Sequence, residues 1–120
     1  MNLDRAQGFA EEWVAGWNSR DLDRIMRHYA DDVVFRSPIA ARLIAGSDGT
    51  IRGKEALRAY WAEGLRLNPQ LRFQLLGVYV GVGSVVIHYR KQTGQSSCEV
   101  LVFGGDLVVS GWGTHGPEPD

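Results

Sequence analysis

The apolar residues of this chain change their spacing once, near Leu71, and that change limits the folds open to it. Before it they recur at intervals of three and four: Leu3, Ala6, Phe9, Ala10, Trp13, Val14 and Trp17 make one stripe along a helix. After it the helical spacing is gone. The runs "LRFQLLGVYVG", "SVVIHYRK", "CEVLVF" and "LVVSGW" are separated by the glycine-bearing turns "VG", "QTGQ" and "GGD", the pattern of an antiparallel meander. Helices first and consecutive strands afterwards predict an α+β domain: N-terminal helices packed on one face of a strongly curved, mostly antiparallel sheet.

Within the helical half, Asp21 is placed to cap a second, shorter helix carrying Leu22, Ile25, Met26 and Tyr29. "VVFRSP" then reads as a short strand ended by Pro38, and a third helix from Lys54 to Leu67 stops before Pro69. The intervening "IAARLIAGSDGTIR" reads as a long loop of the kind that forms lids or binding loops. At 120 residues the chain is the size of one domain, expected over 1–115, with the proline-broken tail 116–120 expected to be disordered.

Composition excludes several partners. Hydrophobic residues make up 44% and charged residues 22%, and 13 basic against 14 acidic side chains leave a formal charge of −1. A balance of that kind offers no electrostatic footprint for nucleic acid or an anionic membrane. The single cysteine, Cys98, and the absence of a basic, apolar leader at the N-terminus point to a reduced, cytoplasmic setting.

Three segments then carry a resemblance across nearly the whole chain: the turn "W-N-S-R-D-L-D", the strand entry "A-D-D-V-V-F-R-S-P" and the helix start "R-G-K-E-A-L-R-A-Y-W". They resemble the nuclear transport factor 2-like superfamily, in its SnoaL-like and ketosteroid-isomerase-like branch. The resemblance implies a cone, with a bent sheet wrapped around helices and a pocket at the open end. Members include isomerases, polyketide cyclases, epoxide hydrolases, dehydratases and domains with no catalysis, so the fold does not fix the function. Carried over residue by residue, the isomerase pattern mostly breaks. Its general-base aspartate falls on Ser37, whose hydroxyl is too weak an acid to serve unassisted as a base near neutrality. Its phenolic donor falls on Trp13. Its protonated carboxylic acid falls on Glu99 when Phe103 is aligned. Ketosteroid isomerisation itself is therefore not expected.

The residues themselves also single out the hairpin "VVIHYRKQTGQSSCEVLVF". With its turn centred on Thr93 and Gly94, His88 faces Glu99 and Val86 faces Leu101, while Ile87, Tyr89, Cys98, Val100 and Val102 share the other, apolar face. A one-residue shift would put His88 and Glu99 on opposite faces. A histidine beside a carboxylate in a cavity can exchange protons near neutral pH, and the same pair can instead be a buried clip that fixes register. His88 and Glu99 are thus the candidate catalytic residues. The candidate lining is Trp13, Trp17, Tyr60 and Trp61 from the helices and Phe35, Ser37, Leu101 and Phe103 from the strands, most of them equally accounted for as core. His28 and His115 are weaker candidates. The histidines lack ligand spacing, and there is no phosphate-cradling loop, nucleophile elbow or dinucleotide fingerprint, so neither metal nor cofactor is expected. The chain is expected to bind a small, largely apolar organic molecule, either as a cofactor-free isomerase, cyclase or hydrolase or as a non-catalytic module. An apolar outer face is expected to pair two copies into a homodimer.

Overall fold

In the computed structural model, which describes every residue but Asp120, the first helix, α1 (Leu3–Ser19), begins where the Asn2 side chain accepts the Arg5 N–H. It ends at Arg20, which adopts a left-handed conformation with φ 59°. Two side chains at its C-terminal end dock the helix. The Asn18 amide donates to Phe73 O (2.9 Å) and its oxygen accepts from Phe73 N (2.7 Å), so it stands in for a strand neighbour. The Arg20 guanidinium reaches the carbonyls of Leu65 and Asn68 at the end of the last helix. Asp21 caps α2 (Leu22–Met26), as its position in the sequence predicts.

Next come β1 (Tyr29–Arg36), a short α3 (Pro38–Leu43), β2 (Thr50–Arg52) and α4 (Lys54–Leu67). The stretch expected as one long loop is therefore helix, turn and strand. Ser37 makes the difference. Its hydroxyl accepts the Ile39 N–H (3.2 Å) and Pro38 fills the first helical turn, where its missing N–H costs nothing. The strands β3 (Phe73–Gly81), β4 (Ser84–Lys91), β5 (Ser96–Gly104) and β6 (Leu107–His115) complete an open six-stranded sheet in the order β2-β1-β6-β5-β4-β3. All neighbours are antiparallel except β1 and β6, which run parallel.

Helices and sheet enclose an aromatic core. Trp13 stacks on Phe73 (5.8 Å between centroids), Phe73 meets Tyr89 (4.5 Å), and Trp61 receives Trp17, Tyr29 and Phe35 in edge contacts at 5.0–5.3 Å. Each such pair adds about 0.5–1.5 kcal/mol beyond the area it buries. The inner sheet face is recessed to receive these rings. A Cβ at Gly111 would lie 2.9 Å from the Phe35 ring, so the absence of a side chain there lets Phe35 lie flat across β6. No helix among the described residues is long and apolar enough to cross a membrane.

Candidate functional site

The hairpin turn decides which side chains enter the core. Lys91 N–H donates to Gln95 O and Gly94 N–H to Lys91 O, both at 2.9 Å, and Gly94 takes φ 92°. The loop is thus three residues, Gln92 to Gly94, with glycine at the position that requires positive φ. This places Arg90 opposite Ser96, His88 opposite Cys98 and Ile87 opposite Glu99, one residue away from the register expected from a turn centred on Thr93 and Gly94. His88 is therefore on the outer face and Glu99 on the inner one, so the expected His88–Glu99 pair does not exist. Ile87 and Tyr89, expected outside, are 0% and 4% exposed and lie inside. A single residue slip exchanged the two faces of β4 and left those of β5 as expected.

Glu99 sits in a cross-strand row between Ile87 and Gly113, 5% exposed, in the wall of a cavity of about 340 Å³. One of its oxygens receives only a long hydrogen bond, from the Tyr89 hydroxyl at 3.5 Å. A Cβ at Gly113 would stand 3.7 Å from that oxygen, an ordinary contact distance, so the glycine borders the carboxyl group closely. Burial pushes the Glu99 carboxyl up to about 8, against the weaker pull of Tyr89 and Lys91 in the opposite direction. The group is a neutral acid at pH 7.

One row toward the hairpin turn lies a second polar cluster. Lys91 Nζ is 2.7 Å from His115 Nδ1, with Ser97 Oγ at 3.1 Å from the same nitrogen. Burial, then the charges of Lys91 and Arg42, push the His115 imidazole down to about 4, so the ring is neutral. An ammonium group only donates, so Nδ1 accepts and the proton resides on Nε2, which is buried without a partner. Burial lowers the Lys91 ammonium as well, and raises the phenols of Tyr60 and Tyr89. Both tyrosines are neutral donors.

Of the expected lining residues, Trp13, Trp17, Phe35, Ser37, Tyr60 and Trp61 border the cavity. Leu101 and Phe103 do not. Leu101 is wholly buried in the closed core, and Phe103 packs edge-on against Phe9 (5.1 Å), so both lie beyond the cavity floor. Two polar groups that the resemblance brings into view are already engaged: Trp13 Nε1 donates to Tyr29 Oη (3.1 Å), and Ser37 Oγ bonds Tyr60 Oη (2.9 Å) while capping α3. The sequence reading missed Tyr89, Lys91 and Arg42. The signal for the first two was the glycine in "KQTGQ", which marks a three-residue loop. Among the described residues no group of three or more His, Cys, Asp or Glu side chains is arranged to hold a metal.

An open sheet over helices, with a cavity at one end walled by aromatics and a single buried acid, defines the cystatin-like, nuclear transport factor 2-like class of α+β proteins. Within it, the chain belongs to the SnoaL-like domain family, whose model matches residues 10–119. A SnoaL-like protein of unknown function from Burkholderia thailandensis E264 is 40% identical over 97% of this chain and 98% of its own, with a TM-score of 0.91. Two more distant structures share the fold. AclR, a proposed hydroxylase from Streptomyces galilaeus, is 20% identical over 96% of this chain and 91% of its own (TM-score 0.73). A proposed isomerase of the SnoaL-like family from Agrobacterium tumefaciens C58 is 14% identical over 96% and 100% (TM-score 0.77). No curated protein is significantly similar to the chain.

Proposed function

We propose that the cavity binds a small, largely apolar organic molecule and that Glu99 exchanges a proton with it, making the protein a cofactor-free acid–base enzyme of the isomerase, cyclase or hydrolase kind. The observation that carries this reading is the Glu99 carboxyl itself: buried in an aromatic wall with one long hydrogen bond, it lacks the partners a structural acid would have. Its first act at neutral pH is donation, of a hydrogen bond or a proton, to a ligand oxygen. The carboxylate left behind is held by the Tyr89 hydroxyl and the Lys91 charge, which prepares it to take a proton back from the ligand. This replaces the His88–Glu99 dyad with Glu99 acting beside Tyr89 and Lys91. The isomerase description of one structural neighbour agrees with such chemistry without specifying it, whereas the hydroxylase description of another names a different reaction class.

A thermal-shift screen of small cyclic compounds, followed by assay of the hits for turnover, tests the reading with Glu99→Gln as the variant. The expected result is retained binding with turnover lowered about 10²–10⁴-fold, the usual worth of a positioned proton donor. Equal turnover in the variant would overturn the catalytic role, and binding without turnover in the wild type would establish the non-catalytic alternative.

We further propose that two copies associate through the outer sheet face. Trp112, Val100, Val86 and Tyr79 form one row across β6, β5, β4 and β3, with Trp112 38% and Tyr79 58% exposed and the Arg36 guanidinium 4.4 Å from the Trp112 ring. An apolar row of that length on an uncovered face favours a self-complementary interface. Light scattering at micromolar concentration should give twice the 13.3 kDa chain mass.

A further inference from the structure

The residues around the mouth of the cavity narrow the class of ligand beyond "small and apolar". Two cationic side chains border the cavity, Arg42 from α3 and Lys91 from the end of β4. Among the described residues the only acid in the wall is Glu99. Lys91 is satisfied by neutral partners, His115 Nδ1 at 2.7 Å and the Gln95 side-chain oxygen at 3.3 Å. Among the described residues neither Lys91 nor Arg42 has a carboxylate within ion-pair distance. Burial and, more weakly, the Arg42 charge depress the Lys91 ammonium, and both cations depress His115 after burial. Glu99 and, more weakly, Glu118 in the tail bias Lys91 the other way from beyond contact. This concentration of positive charge is local, because the chain as a whole carries −1. Like charges facing an apolar, partly enclosed volume are costly until an anion joins them. On the far side, Trp17, Trp61 and Phe35 offer ring faces and edges and no ionised group.

We infer that the ligand is an organic anion: a ring-sized apolar body lying against the aromatic wall, with a carboxylate, or a similarly compact acidic group, held by Lys91 and Arg42 at the mouth. The inference rests on the reading of this cavity as a small-molecule site and adds the charge and the orientation. With the anionic end fixed at Lys91, the apolar end extends inward past Glu99. The ligand's reacting atoms are then those next to the ring. The volume of about 340 Å³ lies near the lower end of the ~300–1,000 Å³ usual for ligand pockets, which suits one or two fused rings.

The test is a panel of matched pairs, each a one- or two-ring carboxylic acid and its primary amide, titrated at neutral pH and low salt. Affinity is read by calorimetry and location by the indole N–H signals of Trp17 and Trp61. The acid of a pair should bind about tenfold or more tightly than its amide, the advantage should shrink as salt is added, and Lys91→Met should remove most of it while Lys91→Arg keeps it. Arg42→Gln should reduce the advantage by a smaller factor, because that side chain sits further toward solvent. Amides that bind as well as their acids, or an acid preference untouched by both Lys91→Met and Arg42→Gln, would overturn the anion and leave the cavity reading intact. Indole signals that no member of either series moves would count against the cavity reading and the anion together.

Discussion

The two faces of the same strands are different environments. On the inner face, Val85, Ile87, Tyr89, Glu99 and Leu101 are between 0% and 5% exposed and belong to the core or the cavity wall. On the outer face, one residue along in each case, Val86, His88, Cys98 and Val100 are only half-buried. Alternation makes the two sets inseparable. Whatever fixes the register of the hairpin fixes at once which acid is desolvated, which histidine is left outside and which valines are available to a second copy. The three-residue loop from Gln92 to Gly94 is therefore the local feature on which the chemistry of the whole site depends.

Truncation is the bluntest way to break the comparison. Ile87→Ala removes a wholly buried side chain next to Glu99 and should cost about 2–5 kcal/mol in chemical denaturation, whereas Val86→Ala, its neighbour on the outer face, should cost well under half as much. Comparable losses at the two positions would mean that the outer face is as tightly packed as the inner one.

Acidity separates the faces next. The Glu99 carboxyl is held near 8 in the folded chain against 4.5 in an unfolded one, so the folded state binds the extra proton between those values. Stability then falls as pH rises from about 4.5 to about 8, by on the order of a few kcal/mol in total. His115, held near 4 against 6.5, works with the opposite sign: the unfolded chain binds its proton first, so stability is lost as pH falls from 6.5 toward 4. The two slopes oppose each other between 4.5 and 6.5, and only the Glu99 slope remains from there to 8. Glu99→Gln should abolish that decline and leave the variant more stable than the wild type at pH 9, as measured by urea midpoints across the range. A wild-type midpoint that stays flat from pH 6.5 to 8.5 would show that Glu99 is ionised and solvated.

The outer face should respond to charge by dissociating. Trp112→Glu places a carboxylate in the middle of the exposed row and removes the ring under Arg36, so it should weaken self-association by about 2 kcal/mol, or some thirtyfold, with little change in ligand affinity. Sedimentation across a concentration series reads the association, and a variant that dimerises like the wild type would move the interface elsewhere.

Much of this arrangement was legible in the residues, and most of the failures share one cause. The helical stripe from Leu3 to Trp17, the Asp21 cap, the helix from Lys54 and the alternation that turns Phe35 and Ser37 inward and Arg36 outward are local patterns, and local sterics suffice to set them. Glu99 was also singled out, through the resemblance that puts a carboxylic acid at its position, although the partner expected for it, His88, lies on the other face. What alternation could not settle was the pairing of β4 with β5. "SVVIHYRK" is apolar on both faces near its start, so hydrophobicity does not distinguish the two registers, and only the backbone requirement of Gly94 does. Lys91 was missed with the register, and Arg42 for a different reason: a cation on a short helix normally faces solvent. Only the three-dimensional placement of α3 beside the cavity makes Arg42 part of its wall.

His88 gives the smallest and sharpest prediction. Read with the other register, it is half of the active dyad, and its loss would be as damaging as that of Glu99. In the observed register it sits between Gly77 on β3 and Cys98 on β5, on the face away from the cavity, and it is absent from the cavity wall. No hydrogen bond or ion pair connects it to the described residues of the site. His88→Gln keeps a polar side chain of similar reach and leaves the row of Trp112, Val100 and Val86 intact, so stability should change by no more than about 0.5 kcal/mol. Turnover and ligand affinity should stay within about twofold of the wild type, the scatter expected for a surface exchange remote from the ligand. Measured beside Glu99→Gln under the same conditions, this variant decides between the two registers by function alone. A loss of turnover at His88 comparable to that at Glu99 would return the histidine to the inner face and with it reverse every assignment on β4.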